Sequence, residues 1–502
     1  MRALLAALTV ILLQSPAATS QDASTGTATT RSSVKAREVL NAAAQAHGGL
    51  DKLRALKSLH RAGKGKTHTQ GQNLGPDTPA IVRNLETDQW LDFAGNRARV
   101  ENKTAVGGIP IHNRNVLSGD SGYAWNAAAN ASTRFTPTGG AGLRNALRRD
   151  PARVIVNALS RAEAARSLGA ETVNGKPHDV VVYAEPDGTL LTLYFDAGTH
   201  LLGKVETLSD TAVLGDTLNE QIYSDYRAVD GVNVPFRLTV RSAGQVTQEM
   251  AYSTIDLNAA PDAAAFQLPS DLLEPSATAS APIAVTTLGP GLHLIGGGTH
   301  NSLAAEFADH VVVVDAPLSS ERSRAVLEKL KELAPGKPVR SVVNTHYHFD
   351  HSGGLREYVA DGATVITHAS NADFVRKIAA GSRGIRPDRL SGKPAEAKVQ
   401  AVTGKLVLSD GTRTIEIHAL PNTHSNGMLV VYAQKEKVLF NADLWGAPLV
   451  GPLPVATDYA IELREGIGKL KLPVEKIAPS HGRVATIAEL DESVKKRRSP
   501  SM

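Results

Sequence analysis

Apolar residues after Val34 recur at helical spacing, at Val39, Leu40, Ala43 and Ala44, before Gly48-Gly49 breaks the pattern. A short second turn runs through Leu53 and Leu56. After Ser58 the period shortens towards two, and residues 81–93, 98–100 and 122–125 read as strands. Helical spacing returns from about Leu143 to Leu168, with Ile155, Leu159 and Ala162 on its apolar side and Pro151 placed to start its second part. Strands follow over 179–183, 190–195, 202–207, 221–226, 236–241 and 246–254. Their hairpin-like separations, with turn chemistry at Pro186-Asp187-Gly188 and Asp230-Gly231-Val232, predict a large antiparallel sheet with helices on one side.

Residues 269–282 are rich in Ser, Ala and Pro and carry no periodic apolar face, so they read as a linker. Beyond them the pattern alternates again. Strands are expected over 283–288, 292–295 and 302–307, with Gly296 to Asn301 as a mobile hairpin tip. Val311 to Val314 form a buried strand ending at Asp315, a helix spans 320–333, and a strand spans 339–344. A helix at 354–359, a strand at 363–367, a helix at 371–379, strands at 406–408, 414–420, 428–433 and 438–441, and helices at 458–470 and 487–495 complete the order. This order predicts two sheets packed face to face with helices outside.

A chain of 502 residues is too long for one ordinary domain. The expected division is 1–20, 21–33, 34–268, 269–282, 283–495 and a basic tail at 496–502. Arg2, the apolar run Ala3 to Leu13 and the small residues Ala18-Thr19-Ser20 read as a signal peptide over 1–20, followed by an unstructured leader. The mature protein is therefore expected to be exported, periplasmic or secreted, with no membrane anchor. A net charge of +4 and the absence of a basic arm interleaved with aromatics argue against a nucleic-acid partner and leave a small-molecule substrate. There is no cysteine, so any metal ligand is His, Asp or Glu.

Such ligands are concentrated in Asn344-Thr345-His346-Tyr347-His348-Phe349-Asp350-His351-Ser352-Gly353-Gly354, directly after the apolar pair Val342-Val343. Alternation at a strand end points His346 and His348 the same way, and imidazole with carboxylate suits a borderline cation such as zinc. His424, Asp443 and His481 each follow a short apolar strand downstream, where loops gather at one rim of a sheet. Singly, each reads as a capped turn or a surface residue; together with the first cluster they read as one site.

With Asp315 added, these residues resemble, in order and strand context, the motifs of the metallo-β-lactamase-fold hydrolases over 283–495, the most specific being His346-x-His348-x-Asp350-His351. The resemblance implies an αββα sandwich and two ions, one on His346, His348 and His424, the other on Asp350, His351 and His481, with Asp443 bridging. Zinc is expected, with iron or manganese as alternatives. Asp350 and Asp443 would orient a hydroxide generated between the ions, and Asp315 would anchor a ligand loop. His300, Asn301, His368 and Trp445 are further candidates to line the cleft. The function implied is hydrolysis of an ester, lactone or amide; a glyoxalase-type thioesterase, a cysteine-free β-lactamase, and a carrier with a vestigial metal site are the alternatives.

Within 34–268, three stretches resemble the half-barrel of periplasmic lipoprotein carriers. They are the entry Ala46-His47-Gly48-Gly49-Leu50-Asp51-Lys52-Leu53-Arg54-Ala55-Leu56, the hairpin Leu193-Tyr194-Phe195-Asp196 with Leu201-Leu202, and Asp225-Tyr226-Arg227 before Gly231-Val232-Asn233-Val234-Pro235-Phe236. That resemblance implies an α+β antiparallel half-barrel sheltering an apolar ligand; a structural or dimerisation domain is the other reading.

Overall fold

The structure is a computed structural model and describes residues 26–498 except 107–108, 129, 137–138 and 275–281. The expected signal peptide lies outside the described residues. The leader expectation fails for its last part, because a helix spans Ala28–Ala46. Its start is set by Thr27, whose side chain accepts from the Thr30 amide, and Ser32 then bonds the Ser167 carbonyl at 2.8 Å. At the other end, the helix Ile487–Arg498 takes in the first residues of the expected basic tail. Arg497 is held there by Asp458 at 2.9 Å.

The first domain is built on a 13-stranded sheet in which two meanders meet at the centre. The first strand, Ser58–His68, pairs antiparallel with the last, Gln245–Leu257, so Leu59 faces Leu257 on one side and Leu91 on the other. The long helical stretch expected over 143–168 is two helices, Ala141–Arg149 and Pro151–Ser160, followed by the strand Arg166–Val173. Asp150 ends one helix and caps the next, accepting from the Ala152 amide, with Pro151 at a position where its missing N–H costs nothing. Leu40, Leu53, Leu91, Ile155, Leu191 and Phe195 share the core between helices and sheet. A cavity of about 530 Å³ lies there too, lined by Arg61, Gln89, Arg149, Asp150, Tyr223 and Tyr252 among others. Arg61 and Asp150 form a buried ion pair at 3.3 Å. The cavity walls mix these polar groups with the apolar side chains of Val100, Val205, Leu238 and Val240.

The second domain is a helix–sheet–sheet–helix sandwich of a seven-stranded and a six-stranded sheet. Val312, Val314, Val343 and Ile366 of one sheet pack against Ile415, Ile417, Leu429 and Phe440 of the other. Helices Ser320–Leu333 and Leu355–Ala360 cover one outer face, and Asp458–Lys469 with Ile487–Arg498 the other.

The linker is shorter than expected, since Leu273 still exchanges main-chain hydrogen bonds of 2.8 Å with Ser132 and Arg134. The two domains also interlock. Val213 of the first is buried in the core cluster that also holds Val326, Leu355 and Tyr358 of the second. Beside it Asp216 accepts from Ser382 Oγ at 3.0 Å and from the amides of Gly384 and Ile385 at 2.6 and 3.0 Å. The loop of residues 69–81 reaches further, to the rim where the histidines gather.

Candidate metal centre

The buried strand Val339–Asn344 carries the histidine-rich segment to the rim of the seven-stranded sheet. Its parallel neighbour Val311–Val314 ends at Asp315, which is fully buried and adopts φ +64. Asp315 Oδ1 accepts the Thr345 amide at 3.0 Å, and Oδ2 lies 2.9 Å from His351 Nδ1. Asn344 closes the turn from inside, donating to the His346 carbonyl at 2.7 Å and to Ser352 Oγ at 3.2 Å. Gly354 is needed where the segment meets the Ser320–Leu333 helix, because a Cβ there would lie 1.9 Å from Ser323 Oγ.

This frame brings eight of the sequence candidates together in two groups. His346, His348, His424 and Asp443 form one; Asp350, His351 and His481, joined by His300, form the other. In each, the potential ligand atoms lie within 4.8 Å of one another. Asp443 stands between them. Its Oδ2 lies 3.0 Å from His424 Nε2 and 3.3 Å from His346 Nε2, while Oδ1 lies 2.8 Å from His351 Nε2 and 3.0 Å from His481 Nε2.

The donor atoms fit a cation. His346 Nε2, His348 Nδ1, His351 Nε2 and Asp443 Oδ1 are buried and lack a hydrogen bond of acceptable geometry. The opposite nitrogen of each ring is engaged: His346 Nδ1 with Thr345 Oγ1 at 3.1 Å, His348 Nε2 with the Asn73 carbonyl at 2.8 Å, and His351 Nδ1 with Asp315. Rings held from behind, with free nitrogens converging in front, are the arrangement of metal-binding histidines. Charge balance points the same way. Burial lowers His346 well below the ordinary imidazole, and His351 adds to the shift. His351 is pushed well up, against burial, by Asp443 and Asp315. Burial opposes charge on Asp443 as well, yet His351 and His346 hold its carboxyl well below the usual range. The carboxylates thus gather positive charge at the point where the groups meet.

The other candidates divide. His300 is buried, its Nδ1 lies 2.8 Å from Thr299 Oγ1, and its Nε2 faces Asp350 Oδ2 at 3.3 Å. The expected mobile tip is therefore tied down. Asn301 does not line the cleft but spends its side chain on the carbonyls of Pro479 and Gly482, fixing the loop that carries His481. Trp445 is a core residue rather than a cleft wall, its indole N–H donating to Ser493 Oγ at 3.3 Å. It turns inward because Asn441 clamps its main chain on both sides. His368 caps a turn through Ser370 and belongs to neither group.

Three site neighbours escaped the sequence. Tyr459 sets its ring 5.0 Å from that of His424, edge to face. Gln72 Nε2 donates to Asp350 Oδ1 at 2.7 Å, and Asn73 supplies the carbonyl behind His348. Gln70-Gly71-Gln72-Asn73-Leu74-Gly75 shows only the polarity and glycines of a surface loop.

Residues 295–481 match the family model described as the metallo-beta-lactamase superfamily, and the C-terminal segment is a domain of that family. Among curated proteins, the chain is 30% identical over 181 residues to acyl-coenzyme A thioesterase MBLAC2 of Homo sapiens, covering 30% of this chain and 58% of that one. It is 26% identical over 146 residues to the 2,4-dinitroanisole O-demethylase subunit alpha of Nocardioides sp. (strain JS1661), covering 29% and 41%. The chain thus spans 41% and 58% of the length of these two relatives. Among solved structures, a metallo-beta-lactamase from Pontibacter korlensis is 20% identical, with 43% of this chain and 99% of that chain covered at a TM-score of 0.34.

Proposed function

We propose that the chain is a dinuclear metal-dependent hydrolase acting on the acyl bond of a small-molecule ester, thioester, lactone or amide. The observation that carries this reading is Asp443, one carboxylate turned towards both histidine groups. His346, His348 and His424 would hold one divalent cation and Asp350, His351 and His481 the other, with Asp443 common to both. Zinc fits an all-imidazole and carboxylate set. When bound, such cations supply a water whose pKa falls from about 15.7 to about 7 and a positive pole for the substrate's carbonyl oxygen. Asp350 and Asp443 can accept a hydrogen bond from the attacking water and so aim it. His300 holds Asp350 from outside. Tyr459 sets its ring edge to face against His424. The similarity to an acyl-coenzyme A thioesterase favours a thioester within this class. The apolar N-terminal run supports export, in which case protein recovered from the cell envelope would begin near Gln21.

The test is metal analysis of the purified chain with a hydrolysis screen over thioester, lactone, β-lactam and phosphodiester substrates. Metal-dependent turnover of an acyl compound is expected. Full turnover after exhaustive chelation would overturn the reading.

A further inference from the structure

The loop of residues 69–81 belongs to the first domain, yet it touches three consecutive positions of the histidine segment. The Asn73 carbonyl lies 2.8 Å from His348 Nε2, the Gly71 carbonyl accepts the Phe349 amide at 3.2 Å, and Gln72 donates to Asp350 at 2.7 Å. One residue further on, the Leu74 carbonyl accepts the amide of Asn426, two positions after His424, at 2.6 Å. The loop is therefore a bracket laid across both ligand groups.

It is also built to keep its shape. Thr69 Oγ1 donates to Asn73 Oδ1 at 2.8 Å and accepts the Ile81 amide at 3.0 Å, which closes its base. Asn73 Nδ2 donates to the Thr78 carbonyl at 3.2 Å, and Asn73 is buried. Gly71 sits at φ +69, and a Cβ there would lie 2.3 Å from the Phe349 ring. Only glycine lets the main chain come this close.

We infer that this loop is a working part of the metal centre: its Asn73 carbonyl fixes the ring orientation and tautomer of His348, and Gln72 positions Asp350. With Nε2–H donated to Asn73, the lone pair of His348 is on Nδ1, the atom buried without a partner of its own. With Gln72 on Oδ1, Asp350 offers Oδ2 to the His300 and His351 side. Gln72 and Asn73 are positioning residues, acting through ligands they support. The inference rests on the metal reading above and assigns the first domain a share in it.

Cobalt(II) titration of the metal-free full-length chain tests this, read by binding isotherm and visible spectrum alongside thermal melting. Gln72→Ala should melt like the wild type, keep one site, and bind the second ion about 10- to 100-fold more weakly, as loss of an outer-shell partner does. Gly71→Ala pushes the bracket off Phe349, so both sites should weaken and the spectrum of the His348 site should change. Wild-type affinities and spectra in both variants would overturn the inference and leave the metal reading standing. A wild-type chain that takes up no cobalt would overturn both.

Discussion

Asp315 and His351 sit 2.9 Å apart, both fully buried, and the same carboxylate also accepts the Thr345 amide. One side chain thus fixes the point where the histidine segment leaves its strand and the tautomer of a ring inside it.

Asp315→Asn separates these jobs. The amide oxygen can still take the Thr345 N–H, and asparagine tolerates the left-handed backbone at this position. Its NH2 then faces His351 Nδ1, which must become the acceptor, so that Nε2 carries the proton and loses its lone pair. The fold should persist while the second ion binds about 10- to 100-fold more weakly. Metal stoichiometry by elemental analysis, beside a circular dichroism melt, decides it.

Asp443→Ala removes the carboxylate shared by both groups without touching the core clusters. Turnover should fall by about 100-fold or more, with both ions weakened together. His346→Ala should empty the first site first. Retention of two tightly held ions in the Asp443 variant would show that the groups bind independently.

His47 provides a pH test remote from the cleft. It is fully buried, and burial lowers its pKa to about 4, against the bond from Nδ1 to the Ala43 carbonyl. The unfolded chain, with an ordinary imidazole near 6.5, therefore binds more protons between pH 6.5 and 4, and stability falls with pH across that window. The full effect is about 3 kcal/mol. His47→Gln should flatten this part of the stability profile, measured by urea unfolding of both chains from pH 7 to pH 4. Parallel profiles would refute the assignment.

Val213 tests the interlock. Buried in the cluster of the other domain, it should cost about 1–3 kcal/mol as Val213→Ala. Val213→Asp introduces an unpaired charge into the same place and should split a single unfolding transition into two. Differential scanning calorimetry distinguishes the outcomes.

What the sequence revealed was what is written locally. Val342-Val343 before the histidines, and apolar strands before His424, Asp443 and His481, place these side chains at strand ends by short-range patterning alone. Gln72 and Asn73 meet Asp350 and His348 from another domain, and no local period records such a meeting. The strand Ile109–Ser118 escaped for a different reason. Its middle is His112-Asn113-Arg114, held to its neighbour by polar pairs such as Arg114 with Glu101 at 3.0 Å rather than by alternating apolar residues. Trp445 was misplaced because nearness in sequence to Asp443 says nothing of direction; the Asn441 clamp sets that.

The seam at the middle of the large sheet has a consequence for synthesis. Because Leu59 pairs with Leu257, the strand that emerges first from the ribosome waits for the one that emerges last in its domain. Until then one edge of the early meander offers unpaired main-chain groups to any neighbouring chain. Contacts so distant along the chain also make closure slow. The interval between the two strands, rather than the metal centre, is where a nascent molecule is most exposed to misassembly.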